Sequence, residues 1–405
     1  MLAAYALVAA ATQMVWLTYA AITTDTAHRY GVSVGAVGWL AELFPLVYVV
    51  LALPAGWLLD RWFHPVLVTG ALLVALGALV RLGGETFAWA LAGQIIVAIA
   101  QPVVLSAVGK LAAEHLSEDA RADGISLGSA GNFVGMLLAL VLGPTLGADG
   151  NLTPLLVVSA AFACTAAIAL AGTLRRASPA GETTAVIGDG SLRALLARPT
   201  MTTLTGLVFL GFGVFIALAT WLQTLLHPDG VSDTAAGALL VGMVIAGVVG
   251  CAMLPPRVAR RHAERAFMRA VAIVTSLGCV ALAALPWLPA RAAVLVVMGA
   301  LLLPALPIVL TAAERIAGRS IGMAGAVVWM AGNLGGLVVA GLVQALVHHQ
   351  LAAFLAMAAV SALALPLAGR LPRDDSSRGG PPPPITSGAG SASRKPTPAA
   401  APPTC

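Results

Sequence analysis

Ala100-Gln-Pro-Val-Val-Leu-Ser-Ala-Val-Gly-Lys-Leu-Ala112 aligns without gaps on Ala305-Leu-Pro-Ile-Val-Leu-Thr-Ala-Ala-Glu-Arg-Ile-Ala317, with Ala, Pro, Val, Leu, Ala and Ala in common. The correspondence resumes one apolar run later, where Ala130-Gly131-Asn132 matches Ala331-Gly332-Asn333 and Gly135 matches Gly336. The matching blocks lie six apolar runs apart. That spacing predicts two halves with equal numbers of helices, in parallel orientation, around a midplane site.

The runs themselves are of membrane length. The chain is 59% hydrophobic and 10% charged, too little charge to clothe a water-soluble surface. A helix crosses a bilayer with about 20 apolar residues. Twelve such spans are read near 3–24, 34–58, 65–83, 86–110, 123–147, 152–174, 200–226, 234–254, 266–287, 291–313, 321–346 and 350–369. Continuous Ala, Leu, Val and Gly at this length exclude barrel strands, which alternate over about 10 residues. The expected fold is all-α and integral to the membrane, with twelve transmembrane helices in two pseudo-symmetric six-helix bundles. Residues 1–174 form the first bundle, 175–198 a cytoplasmic linker, 199–370 the second bundle, and 371–405 a Pro/Ser/Gly-rich disordered cytoplasmic tail.

Of the 22 lysines and arginines, 19 fall in alternate gaps or after the last span. Arg29, Arg81 and Arg291 are the exceptions. The positive-inside rule then makes both termini cytoplasmic in a multi-pass plasma-membrane protein. The net charge of +5 belongs to these flanks and implies no nucleic-acid partner. The first span lacks the basic n-region of a signal peptide and is expected to be retained.

The loop after the second span reads Gly56-Trp-Leu58-Leu-Asp60-Arg61. It resembles the G-x-L-x-D-R signature of the major facilitator superfamily, although Trp62, Phe63, His64 and Pro65 replace the usual basic pair. The second-half equivalent, Pro255-Pro-Arg-Val-Ala-Arg-Arg261, keeps the positive charge and loses the acid. The resemblance implies that Gly56, Asp60 and Arg61 form a conformational latch, with Asp60 meeting a helix N-terminus or a basic partner in one transport state. Without it, Asp60 reads as a solvated loop acid.

A longer string is more specific: Val15-Trp16-Leu17-Thr18-Tyr19, Tyr30-Gly31-Val32-Ser33, Leu53-Pro54-Ala55-Gly56, Gly93-Gln94, Ala100-Gln101-Pro102, Gly131-Asn132, Leu306-Pro307 and Ala312-Ala313-Glu314. It resembles the feline leukaemia virus subgroup C receptor family, the haem and choline/ethanolamine transporter branch. That resemblance implies that Trp16 belongs to an aromatic cage for a quaternary ammonium group, held by cation–π attraction of about 0.5–2 kcal/mol. Two positions depart from the family. Its helix 5 glutamine is Phe133 here, and its helix 7 tyrosine falls at Ile216, beside Phe215. The change favours an apolar or aromatic substrate that can still be cationic.

Spacing adds further candidates. Gln13, Trp16 and Tyr19 share one helical face, as do Gln94 and Gln101. Buried amides in a membrane either join helices or face a substrate, and both readings stay open, with Asn132 nearer to structure. Trp221 and Gln223 are second-half pocket candidates, whereas Trp329 is read as equally able to face lipid. Glu42 is the one carboxylate well inside a span. It is a candidate for proton coupling or cation attraction, unless it stands in a wet outer vestibule. Glu314 and Arg315 read as an ion pair or helix-end contact.

No Gly-x-x-x-x-Gly-Lys-Ser/Thr loop is present, which excludes the P-loop as an energy source. Cys164, Cys251, Cys279 and Cys405 lack ligand spacing, and the seven histidines are scattered. No metal, cofactor or catalytic residue is expected, and an integral membrane enzyme, receptor or scaffold is disfavoured. The expected function is secondary transport of a small organic molecule, cationic or hydrophobic, by alternating access. The protein is expected to be a monomer whose partners are its substrate and the bilayer. The alternative is a proton-coupled drug or secondary-metabolite efflux antiporter, since Gly143-Pro144-Thr-Leu-Gly147 near the outer end of helix 5 partly resembles the Gly-Pro-x-x-Gly element of proton-coupled drug antiporters.

Overall fold

The computed structural model describes residues 1–147, 151–176 and 191–372. Most of the expected linker and nearly all of the expected tail lie outside the described residues. The helices are α1 (Leu2–Leu17), α2 (Thr23–Tyr30), α3 (Val34–Arg61), α4 (Phe63–Val80), α5 (Phe87–His115), α6 (Glu118–Leu146), α7 (Thr153–Arg176), α8 (Ser191–Leu196), α9 (Pro199–Leu226), α10 (Asp233–Arg260), α11 (Glu264–Ala284), α12 (Leu288–Ala317), α13 (Ile321–Ala345), α14 (Gln350–Ala362) and α15 (Ala364–Gly369). Eleven membrane-length apolar helices stand among the described residues, and α1 is a shorter apolar helix.

One expected span is broken and another carries a local turn. The first was read as continuous over 3–24, but α1 ends at Leu17 and gives way to a 3-10 turn, Ala20–Ile22, and then to α2. At the break Thr18 turns its hydroxyl back onto the Met14 carbonyl (2.7 Å) and accepts a hydrogen bond from Arg81 (3.1 Å). The last expected span, 350–369, is matched by one membrane-length apolar segment, Gln350–Gly369, with a one-residue turn at Leu363 between α14 and α15. Pro366 is the cause: it has no N–H for the Ala362 carbonyl one turn back.

The packing repeats at an interval of six spans. In the first half α1 lies against α6, α3 against α5, α4 against α5 and α7. In the second, α9 lies against α13, α10 against α12, and α11 against α12 and α14. Between halves α3 meets α13 and α6 meets α10. Glycines make the α1–α6 and α9–α13 crossings backbone to backbone. A Cβ on Gly135 would stand 2.1 Å from the Ala10 carbonyl oxygen, and one on Gly335 would stand 2.0 Å from that of Phe209. Small residues allow such approach, which drives association where lipid offers no hydrophobic gain between helices.

Candidate functional site

The first-half amides Gln13, Gln94, Gln101 and Asn132 are all buried. Gln13 and Gln101, each 2% exposed, are linked by a 3.4 Å hydrogen bond from Gln101 Nε2 to Gln13 Oε1. Gln94 Nε2 donates to the Trp16 carbonyl (3.4 Å) and, at the limit of such contacts, to that of Leu40 (3.5 Å). Trp16 Nε1 donates to the Ala41 carbonyl at 2.8 Å, and its ring lies 6.1 Å from that of Phe44. The tryptophan is thereby fixed between α1 and α3. Gln94 Oε1 and Asn132 Oδ1 are buried without a protein partner, so two acceptors remain for another group.

An aromatic chain joins the two halves, starting at Phe133, which follows Asn132 on α6. Phe133 on α6 meets Phe215 on α9 edge-on (6.1 Å), Phe215 meets Phe212 (5.5 Å), Phe212 meets Trp329 on α13 (5.7 Å), and Trp329 meets Tyr48 on α3 (6.4 Å). Trp329 is buried, not lipid-facing, and its indole N–H has no acceptor. Its inward aspect was not readable because every face of α13 is apolar. The one usable signal was Asn333, whose Nδ2 donates to the Trp329 carbonyl a turn back (2.9 Å). Tyr48 and Phe212 carried no sequence signal.

Several expected site residues are placed elsewhere. Tyr19 does not share a face with Trp16, because the helix ends between them; it packs with Tyr30 and Arg81 instead. Trp221 is half-buried and donates to the Ala340 carbonyl of α13 (3.1 Å), while Gln223 is exposed. Glu42 is also exposed, on the α3 stripe that includes Trp39, Leu46 and Val50.

The halves are locked together at the arginine-rich end. Asp60 Oδ1 accepts from the backbone N–H of Gly322 (2.7 Å) and Oδ2 from that of Met323 (2.9 Å), the first turn of α13. Free N–H groups and the helix dipole make this a natural carboxylate seat. Gly56 permits the approach, since a Cβ there would stand 2.8 Å from Ala326 Cβ and 2.9 Å from Met323 Cα. The basic partner is Lys110, not Arg61. Lys110 Nζ donates to the carbonyls of Leu59 (2.8 Å) and Asp60 (2.9 Å) and lies 3.8 Å from Asp60 Oδ1. Arg61 stacks over Trp62 (4.8 Å) and Trp57 (5.8 Å). Two further inter-half pairs join this end: Arg121 with Glu314 (3.0 Å) and Arg260 with Asp123 (3.1 Å). Arg315 pairs with Glu264 (2.9 Å) within the second half.

This geometry of repeated halves meeting at a motif-built contact agrees with a family model, described as Major Facilitator Superfamily, that matches residues 1–340. The chain belongs to the Major Facilitator Superfamily. Among its relatives, solute carrier family 49 member A3 of Danio rerio is 31% identical over 303 residues, 70% of this chain and 64% of the relative. A choline/ethanolamine transporter of Homo sapiens, FLVCR2, is 31% identical over 135 residues, 32% of this chain and 26% of the relative. The aligned part thus spans less than two thirds of either relative's length. These similarities bear out the resemblance read from the motifs. Solved structures share the fold: the human organic anion transporter MFSD10 has a TM-score of 0.72 at 16% identity, covering 91% of this chain and 98% of that one. FucP in the outward conformation has a TM-score of 0.72 at 17% identity, covering 90% and 97%.

Proposed function

We propose that this superfamily member is a secondary transporter that moves a small organic molecule by alternating access, its halves, residues 1–174 and 199–370, rocking about the amide and aromatic cluster. The observation that carries this reading is the burial of Gln13, Gln94, Gln101 and Asn132 in the first half, together with an aromatic chain that crosses between halves and the latch closing one end. On this reading the arginine-rich end is cytoplasmic, both termini are cytoplasmic, and the plasma membrane holds the protein as a monomer. The latched state is the one closed toward the cytoplasm.

The substrate class follows from what the cluster offers. It presents amide oxygens and ring faces, and its residues include no carboxylate. A quaternary or hydrophobic amine held by cation–π contacts over Trp16 suits it, in keeping with the choline/ethanolamine transport named for FLVCR2. Proton coupling through Glu42 finds no support in its exposed position. Proton-driven efflux rests only on Gly143-Pro144, and a Cβ on Gly147 of that element would abut Ile22 and Leu155 at the outer end of α6, which is a packing role.

Thermal shift of the purified chain against choline, ethanolamine, larger quaternary amines and a neutral isostere tests the proposal, with Trp16→Ala alongside. Stabilisation by an amine that is lost in Trp16→Ala is the expected result. No stabilisation by any amine, or equal stabilisation in the variant, would remove Trp16 from the site and the amines from the substrate class.

A further inference from the structure

Three arginines lie at the end of the bundle opposite the arginine-rich one, and two of them have carboxylate partners. Arg29 pairs with Glu85 at 2.7 Å, and Arg291 pairs with Asp229. Arg81 has no carboxylate within 4 Å among the described residues, although it is the most deeply buried of the three, at 0% exposure. A guanidinium does not shed its charge as a buried lysine or histidine can. A buried, uncompensated cation is among the costliest groups a fold can carry.

Its neighbours only partly meet that demand. Arg81 Nη1 donates to Thr18 Oγ1 (3.1 Å) and Nη2 to Ser159 Oγ (2.7 Å). Both hydroxyls are neutral, and their own protons go to the carbonyls of Met14 (2.7 Å) and Leu156 (3.0 Å). The ring of Tyr19 lies 5.7 Å from the guanidinium carbon. The C-terminal ends of α1 and α4 add a fractional negative charge. Two donors stay without a well-formed hydrogen bond: Arg81 Nε and the Tyr19 hydroxyl, the latter on a side chain 1% exposed, are both buried, and the hydroxyl stands close enough to the Arg81 guanidinium and to Tyr30 for weaker polar contacts with each.

We propose that Arg81 and Tyr19 form an anion site, separate from the central cluster, that takes a small monovalent anion, either a halide ion or the carboxylate terminus of an organic solute. The charge to be neutralised is one unit. Two such donors suit a chloride or a carboxylate better than a phosphate, whose additional oxygens need more donors than these. Gly93 sets the tightness of the floor, since a Cβ there would come within 2.4 Å of Arg81 Cγ. Because the same guanidinium holds Thr18 at the break in the first span, an occupied site stiffens that break.

The test measures the unfolding midpoint of the full chain in detergent while methanesulfonate, a bulkier anion without a carboxylate, is exchanged for chloride, or for formate, at constant ionic strength. The expected result is a saturable rise with at least one of the two, of about 2 °C or more at tenfold the apparent dissociation constant. Chloride alone identifies a halide site; formate acting as well identifies a carboxylate site. Tyr19→Phe, which keeps the ring and removes the hydroxyl, is expected to shift the half-saturating concentration upward at least fivefold, and Arg81→Gln to abolish the response. If Arg81→Gln does not fold, Tyr19→Phe decides alone. A midpoint indifferent to both anions in the native chain, or an unchanged response in Tyr19→Phe, would overturn the proposal.

Discussion

Asp60→Asn isolates the latch. Both carboxylate oxygens accept a backbone N–H at the start of α13, at 2.7 and 2.9 Å, and Asp60 is mostly buried, with 13% of its side chain exposed. Asparagine retains one acceptor oxygen but turns an NH2 toward the other backbone N–H, so one charge-assisted hydrogen bond is lost. Such a bond contributes about 1.5–3 kcal/mol, and the lost interaction with the helix end adds about 0.3–1 kcal/mol. Taking about 2 kcal/mol as the net loss, the balance between latched and unlatched states moves about 30-fold. Ser106 reports on this balance. It is fully buried, bonds to Tyr48 at 2.9 Å, and its carbonyl meets α13 at Gly325. In a background lacking the native cysteines, Ser106→Cys should react slowly with a membrane-impermeant maleimide applied from the arginine-rich side. Adding Asp60→Asn should raise that rate about 30-fold, until the open state predominates. An unchanged rate would refute the reasoning, because it would mean that the two hydrogen bonds do not hold the gate.

Two further outcomes follow from the same contacts. Gly56→Ala places a methyl 2.8 Å from Ala326 Cβ and 2.9 Å from Met323 Cα; overpacking of about 1–3 kcal/mol should unlatch the gate, read by the same labelling rate with the carboxylate intact. Glu42→Gln should leave uptake and its pH profile unchanged, since the side chain is exposed beside Trp39 and Leu46; a shifted profile would return Glu42 to the coupling machinery.

The spans and the repeat were legible in the sequence because a bilayer imposes a length of about 20 apolar residues, and because Pro102/Pro307 and Asn132/Asn333 punctuate otherwise similar helices. The contact of Asp60 with a helix N-terminus was legible through its motif. The identity of its partners was not. Lys110 is 50 residues away, and Gly322 and Met323 lie in the other half, so nothing local pointed to them. The break at Thr18 depends on Arg81 and Ser159, on two other helices, and α1 alone reads as an unbroken span. The placement of Trp329 and Glu42 was left open by the sequence for a different reason. In a soluble helix the apolar stripe marks the core, but here lipid and protein interior are equally apolar, and the pattern that would tell inside from outside is erased.

The seat that receives Asp60 consists of main-chain N–H groups, which every non-proline residue at positions 322 and 323 supplies. Drift in those side chains therefore leaves the seat chemically intact, provided the small residue at 322 is kept. The vulnerability of the latch to mutation is accordingly lopsided: one half of the molecule stakes it on one carboxylate and on the glycine, Gly56, that lets it approach, whereas the other contributes main-chain groups and asks only for a small residue at 322. For the same reason the seat cannot be switched off by changing its own chemistry, and it releases Asp60 only by moving away.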